Sequence, residues 1–163
     1  MREGFIVADM GVIEFELERT IIAPIEEVFA RLADINGHNE WMTKKGSILR
    51  HTQQTSPGEP GLGTTFLDET AYGPTPGEIV EFQRPHRLVY HWWDSSKSGK
   101  FKAEGWPGYS LQDVGDNMTL VRHHAKMHTY GPYRLATPIF RRIAMRERTA
   151  TMDALKASFE KHT

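Results

Sequence analysis

The chain reads as an α+β fold of seven strands, two short helices after the first strand, and one long helix at the C-terminal end. Three observations predict it. From Val12 to Ile22 the sequence "VIEFELERTII" alternates apolar and polar residues with the period of a half-buried strand. Further runs of strand type follow one another with Gly, Pro and Asn between them. After Thr137 and Pro138 the spacing of apolar residues changes to that of a helix.

In the first strand Ile13, Phe15 and Leu17 share one face, and Glu14, Glu16 and Glu18 make the other strongly acidic. The alternation slips between Arg19 and Ile21, which predicts a bulge or bend there. In "APIEEVFARLAD", Pro24 suits an early helical position, and Ile25, Val28, Phe29 and Leu32 fall at helical spacing. The "NGHNEWM" segment predicts a second helical turn that delivers Trp41. Five strands are then expected at Ser47 to Thr55, Thr64 to Tyr72, Glu78 to Gln83, Arg87 to Asp94 and, broken, Lys100 to Asp113. "VGDN" is a hairpin turn leading to the last strand, Thr119 to Thr129. Thr137 is the expected N-cap of a helix running to Lys161, with Pro138 in its first turn.

A chain of 163 residues is expected to form a single domain over 1–163, with roughly the first ten residues peripheral. Twenty basic and twenty-one acidic residues leave a formal charge of −1. That gives no global field for nucleic acid or an anionic membrane, so an anionic partner needs a local patch. The absence of cysteine excludes disulfides, thiolate nucleophiles and Cys-based metal centres, and permits a reducing cytoplasm. No run approaches the ~20 apolar residues of a membrane helix. The expectation is a cytoplasmic protein with no nucleic acid and no integral membrane segment, and a homodimer is compatible with the sequence.

The stretch "TLVRHHAKMH" raises the question of a metal. Its period of two makes it a strand, on which His124 and His128 stand roughly 13 Å apart, too far to share one zinc. No metal and no cofactor are expected. His123 and His124 point to opposite faces. His124 joins Arg122 and Lys126 on the polar face. His123 joins Val121 and Met127 on the apolar one, where burial would leave a neutral imidazole suited to proton transfer. His123 is therefore the candidate catalytic residue, against the plainer reading of a satisfied core histidine. "GEPGLG", Gly58 to Gly63, lacks the Lys-Ser/Thr of a phosphate-binding loop and precedes a strand, so it reads as a turn. There is no G-x-S-x-G elbow or H-E-x-x-H pair to support hydrolase chemistry. From Pro138 to Thr163 six basic residues, Arg148 among them, face three acidic ones, which reads as a solvated helix face or, more sharply, as an anion-attracting rim.

The order and spacing of "IIAPIEEVFARLADINGHNEWM", "GLGTTF", "GEIVEFQRPHRLVYHW", "VGDNMTLV" and "GPYRLATPIFRRIAMRERTATMDALKASFE" resemble the SRPBCC superfamily. These START-like and pollen-allergen-like proteins have the helix-grip fold, and the closest likeness is to the polyketide cyclase/dehydrase-like group. The resemblance spans most of residues 12 to 161. It implies a curved seven-stranded antiparallel sheet wrapped around the long helix, first and last strands paired, with a cavity for a hydrophobic small molecule between sheet and helix. "GEPGLG" is similar to the glycine-rich loop at the cavity mouth of the pollen-allergen relatives.

If the long helix packs on the concave face, the apolar phase of each strand points to it: Phe15 and Leu17, Phe66, Val80 and Phe82, Leu88, Tyr90 and Trp92, Tyr109 and Leu111, Val121, His123 and Met127. The expected ligand-binding set within it is Phe66, Phe82, Tyr90, Trp92, Tyr109, His123 and Met127, joined by Trp41 at the position of a family tryptophan. Asp68 shares the phase of Phe66 and offers a carboxylate. Three functions fit: binding of a hydrophobic or aromatic small molecule, polyketide aromatase/cyclase or dehydratase chemistry, and a chaperone-activator type of interaction module. No catalytic signature at fixed spacing separates them.

Overall fold

The computed structural model describes residues 10–160, so the expected peripheral segment and the predicted end of the last helix at Lys161 lie outside the described residues. Seven strands form one antiparallel sheet: β1 (Met10–Ile21), β2 (Leu49–Gln54), β3 (Thr65–Thr70), β4 (Gly73–Gln83), β5 (Arg87–Ser95), β6 (Phe101–Gly115) and β7 (Met118–Tyr130). Their order is β1-β7-β6-β5-β4-β3-β2, so the first and last strands are neighbours. Between β1 and β2 lie α1 (Ile25–Ala33) and α2 (His38–Trp41). A 3-10 helix (Gly131–Ala136) leads into α3 (Thr137–Ser158). This is the helix-grip arrangement, with the long helix against one face of the sheet.

β1 pairs with β7 without interruption from Met10 opposite Tyr130 to Ile21 opposite Thr119, so the expected bulge at Arg19 to Ile21 is absent. Arg19 keeps the inward phase because its side chain has a partner there: its Nε donates to Asp153 of α3 at 2.9 Å. A polar residue on an apolar phase had looked like a slip. A bulge occurs instead in β4, between Ile79 and Glu81. Val80 is the extra residue, and Ile79 together with Phe82 faces inward, which corrects the assignment of Val80.

β6 runs unbroken, but its pairing with β5 is interrupted at Pro107, which has no N–H to give; Val89 opposite Gly108 and Trp92 opposite Gly105 resume the same register on either side. The β6–β7 turn places Asp116 and Asn117 at φ 55° and 56°, the left-handed conformation of a two-residue hairpin. Pro24 caps α1 rather than entering it, its carbonyl accepting the N–H of Val28. Thr137 is likewise not the N-cap: Ala136 holds that place, and the Thr137 hydroxyl donates back to the Arg134 carbonyl.

The core lies where α1 and the second half of α3 meet the sheet. Val28, Phe29 and Leu32 of α1 and Met152 and Leu155 of α3 bury against Ile21, Ile79, Leu88, Leu111 and Val121. Each fully buried apolar side chain contributes about 1.5–3 kcal/mol. The first half of α3 is only half-buried or exposed. Polar ties hold α3 at its middle and its end: Glu147 accepts from the Ser47 hydroxyl at 2.5 Å and the Ile48 N–H at 3.1 Å, and Arg31 of α1 donates to Ser158, the last helical residue, at 2.8 Å.

On the outer face, the acidic phase of β1 meets the basic phase of β7. Arg122 donates to Glu18 at 2.7 Å, and His124 reaches diagonally to Glu14 at 2.8 Å instead of to Glu16 opposite. Such exposed pairs are screened by water and salt, so they bias register and do not hold the fold.

Candidate functional site

Where the packed core of α3 gives way to its half-buried half, a cluster of polar side chains stands on the inner face. Arg148 precedes the buried Met152 by one turn, so the helix aims it at the sheet. Its Nη2 donates to the Tyr109 hydroxyl at 2.9 Å. The Tyr109 ring stacks on His123 of the neighbouring strand, centroids 4.4 Å apart and planes 18° from parallel. His123 is fully buried, and its Nδ1 lies 2.9 Å from the Gly108 carbonyl, an acceptor. Nδ1 therefore carries the proton, and Nε2 presents a bare lone pair. Burial first, then the Arg148 charge, holds His123 well below the usual histidine range, so the ring is neutral.

Three buried nitrogens have no hydrogen-bond partner among the described residues: His123 Nε2, Arg148 Nε and Trp41 Nε1. Buried polar groups are normally paired, because an unsatisfied one costs about 1–3 kcal/mol. The acceptor His123 Nε2 and the donor Arg148 Nε belong to one chain of contacts through Tyr109, and the donor Trp41 Nε1, on α2, is linked to the inner face through His38 and Tyr90.

Further titratable groups complete the surroundings. Asp68 of β3 feels the Arg148 charge, but burial outweighs it and raises the carboxyl above its ordinary value. Burial likewise raises Tyr109 and, much further, Tyr90. His38 of α2 is buried, with Nε2 donating to the Leu32 carbonyl at 2.8 Å, and desolvation lowers its pKa to about 4. The Tyr90 hydroxyl donates to that same carbonyl at 2.6 Å. Together they satisfy a backbone acceptor left open at the end of α1. Edge-to-face contacts then link Trp41 to His38, His38 to Tyr90 and Tyr90 to Phe66.

Of the residues expected at the site, Trp41, Phe66, Tyr90, Tyr109 and His123 come together around this cluster, with Asp68 beside them. Phe82 does not: it packs edge-on against Phe29, 5.2 Å away, in the core under α1. Trp92 and Met127 sit further along the sheet, on either side of Gly105. Two rings lie down across glycines instead of projecting. A Cβ on Gly105 would come within 2.6 Å of the Trp92 indole, and one on Gly77 within 2.3 Å of the Phe66 ring.

The sequence reading missed Arg148, which is no solvated cation of the helix, and His38. The signal for Arg148 was present in its spacing of four and seven residues before Met152 and Leu155.

Two surface grooves lie away from the sheet–helix interface. One, of about 400 Å³, runs along α1 and α2 beside Trp41. The other, of about 620 Å³, lies at the end of the sheet and is lined by Phe101, Tyr130, Tyr133, Lys100, Lys102 and Glu104 among others. In its wall, on the outer face, Glu104 is only 8% exposed and accepts from His91 Nε2 at 2.7 Å and from the Tyr130 hydroxyl at 2.5 Å. Trp106 stacks on His91 at 4.9 Å.

Solved structures share this architecture. A START superfamily protein from Mycobacterium smegmatis superposes with a TM-score of 0.71 at 11% identity, covering 92% of this chain and 99% of its own. The Zhui aromatase/cyclase from Streptomyces sp. R1128 gives 0.73 at 12%, over 92% and 94% of the two chains. Norcoclaurine synthase from Thalictrum flavum, solved in complex with dopamine and hydroxybenzaldehyde, gives 0.69 at 10%, over 96% and 91%. At these identities the likeness is one of fold. No curated protein matches the sequence. The model of the family described as polyketide cyclase / dehydrase and lipid transport, however, matches residues 12–160, nearly the whole described chain. The chain belongs to the polyketide cyclase/dehydrase and lipid transport family.

Proposed function

We propose that the chain binds a hydrophobic small molecule between α3 and the inner face of the sheet, and that the molecule carries at least one oxygen acceptor and one hydroxyl. The observation that carries this reading is the trio of unpartnered buried nitrogens. A ligand oxygen satisfies Arg148 Nε–H or Trp41 Nε1–H, and a ligand hydroxyl donates to His123 Nε2. The apolar body rests on Phe66 and on rings of the kind that lie flat on the sheet. An aliphatic hydrocarbon without oxygen leaves all three nitrogens unpaired and is disfavoured accordingly.

Native mass spectrometry of gently purified protein is the test. The expected result is about one retained small molecule per chain, lost in Arg148→Met. Failure to retain or exchange any oxygenated apolar compound, including long-chain hydroxy acids and polycyclic phenols, overturns the reading.

One observation favours a second reading, proton-transfer chemistry of the aromatase/cyclase or dehydratase kind. The His123 tautomer is fixed by Gly108, so its Nε2 is the basic atom, and Arg148 with Tyr109 supplies donors for a developing oxyanion. Turnover of a poly-β-keto substrate that disappears in His123→Ala while binding persists separates catalysis from carriage.

A further inference from the structure

The end of the molecule where β7 passes into α3 carries an apolar and basic surface that neither the core nor the inner cluster uses. Leu135 is 79% exposed, Ile139 64% and Tyr133 37%. Single exposed apolar residues are ordinary, but these three fall within seven positions of one another at one tip. From Gly131 to Arg146 the sequence contains no Asp or Glu and four arginines. On α3, Ile139, Arg142 and Arg146 follow at intervals of three and four residues and so share a face, with exposed Arg141 beside them. By the rise of a helix, Arg142 lies about 4.5 Å and Arg146 about 10 Å behind Ile139 along the axis. Apolar side chains thus lead at the tip, and the guanidinium groups of Arg141 and Arg142 form a collar behind it, with Arg146, 3.5 Å from Glu147, at its far edge. Lys102, whose Nζ stands 5.8 Å from the centre of the Tyr133 ring, and exposed Lys100 add cations on the neighbouring strand end.

We infer that this tip docks on the surface of an anionic lipid bilayer, with Leu135 and Ile139 entering the headgroup boundary and Arg141, Arg142 and Arg146 at the level of the phosphates. Apolar residues that insert to shallow depth, backed by cations, are what interfacial binding requires. A tyrosine at the same level suits a ring that is apolar with a polar tip. Charge supplies the choice of occupant: the chain as a whole is near neutral, so attraction to phosphate depends on this patch, while the acidic face of β1 lies on the outer side of the sheet.

Co-sedimentation of the full chain with vesicles tests it. Vesicles of phosphatidylcholine with about 30% phosphatidylserine are expected to carry the protein down at low salt, pure phosphatidylcholine vesicles much less, and added salt to release it. Arg141→Ala with Arg142→Ala is expected to weaken partition about fivefold for each cation removed. Leu135→Asp with Ile139→Asp is expected to weaken it at least tenfold, with the thermal transition unchanged because neither side chain is packed. Absence of binding to anionic vesicles overturns the inference. So does full binding by the double aspartate variant, which would mean attraction by charge alone. A wild-type dimer that the same variant converts to a monomer also overturns it, by assigning the tip to a second copy of the chain.

Discussion

Arg148 spans from α3 to β6 to donate to Tyr109 at 2.9 Å, yet its Nε is buried without a partner among the described residues. A guanidinium has five N–H donors in a rigid fork, so one bond to a phenol leaves it under-used in a place where water is scarce. For stability alone an apolar side chain would serve as well. Arg148→Met is therefore expected to change the free energy of unfolding by no more than about 1 kcal/mol, the lost bond and the relieved burial offsetting one another. Retention of an oxygenated ligand should fall at least tenfold. Urea titration and native mass spectrometry on the same preparation check both halves, and a large loss of stability would mark the arginine as structural.

The rings that lie down on the inner face give a second expectation. Gly77 has the Phe66 ring above it and the His91 carbonyl 2.6 Å from where a Cβ would stand. The ring can tilt but the backbone oxygen cannot. Gly77→Ala should cost about 1–3 kcal/mol, as overpacking does, and should break the edge-to-face contact of Phe66 with Tyr90. Equilibrium unfolding measures the cost, and the near-ultraviolet circular dichroism of the tyrosine band reports the altered packing.

The first and last strands were legible because period-two alternation runs through β1 and most of β7. His123 and His124 were assigned to opposite faces from adjacency alone, and the structure places them so. Local pattern failed where a tertiary partner overrides it. Arg19 looks like a break in the pattern until Asp153 is known to face it, and the β4 bulge at Val80 has no glycine or proline to announce it. Arg148 was obscured differently, because a charge on a helix is usually solvated and composition cannot say which turn faces the sheet. The Glu104 cluster was illegible for a related reason: His91, Glu104 and Tyr130 come from three strands, and their register only exists once the sheet has formed.

That outer cluster carries its own expectation. Burial, together with the hydrogen bond and negative charge of Glu104, raises the Tyr130 phenol above its ordinary pKa. A raised pKa means that the stabilising contribution is complete below the unfolded value and is lost as pH climbs through the folded one. Glu104→Gln removes the charge and should bring Tyr130 closer to an ordinary tyrosine. In a phenolate titration followed by absorbance, one tyrosine of the variant should ionise at lower pH than in the parent. A coincident pair of titration curves would show that Glu104 has no hold on it.

His38 sets the behaviour in acid. Its folded pKa is about 4 against 6.5 for an unperturbed histidine, chiefly because burial excludes the charged ring, and the bond to the Leu32 carbonyl only partly offsets this. Between these values the unfolded chain binds a proton that the folded chain refuses, so unfolding becomes more favourable as pH falls. The contribution is fully present above about pH 6.5 and declines towards pH 4, where about 3 kcal/mol has been lost. His123, displaced in the same direction, adds to the same slope. His38→Gln keeps a donor for the carbonyl and removes the titration. Denaturant midpoints at pH 7 and pH 4.5 should therefore separate far more for the parent than for the variant, and equal separations would move the acid sensitivity away from His38.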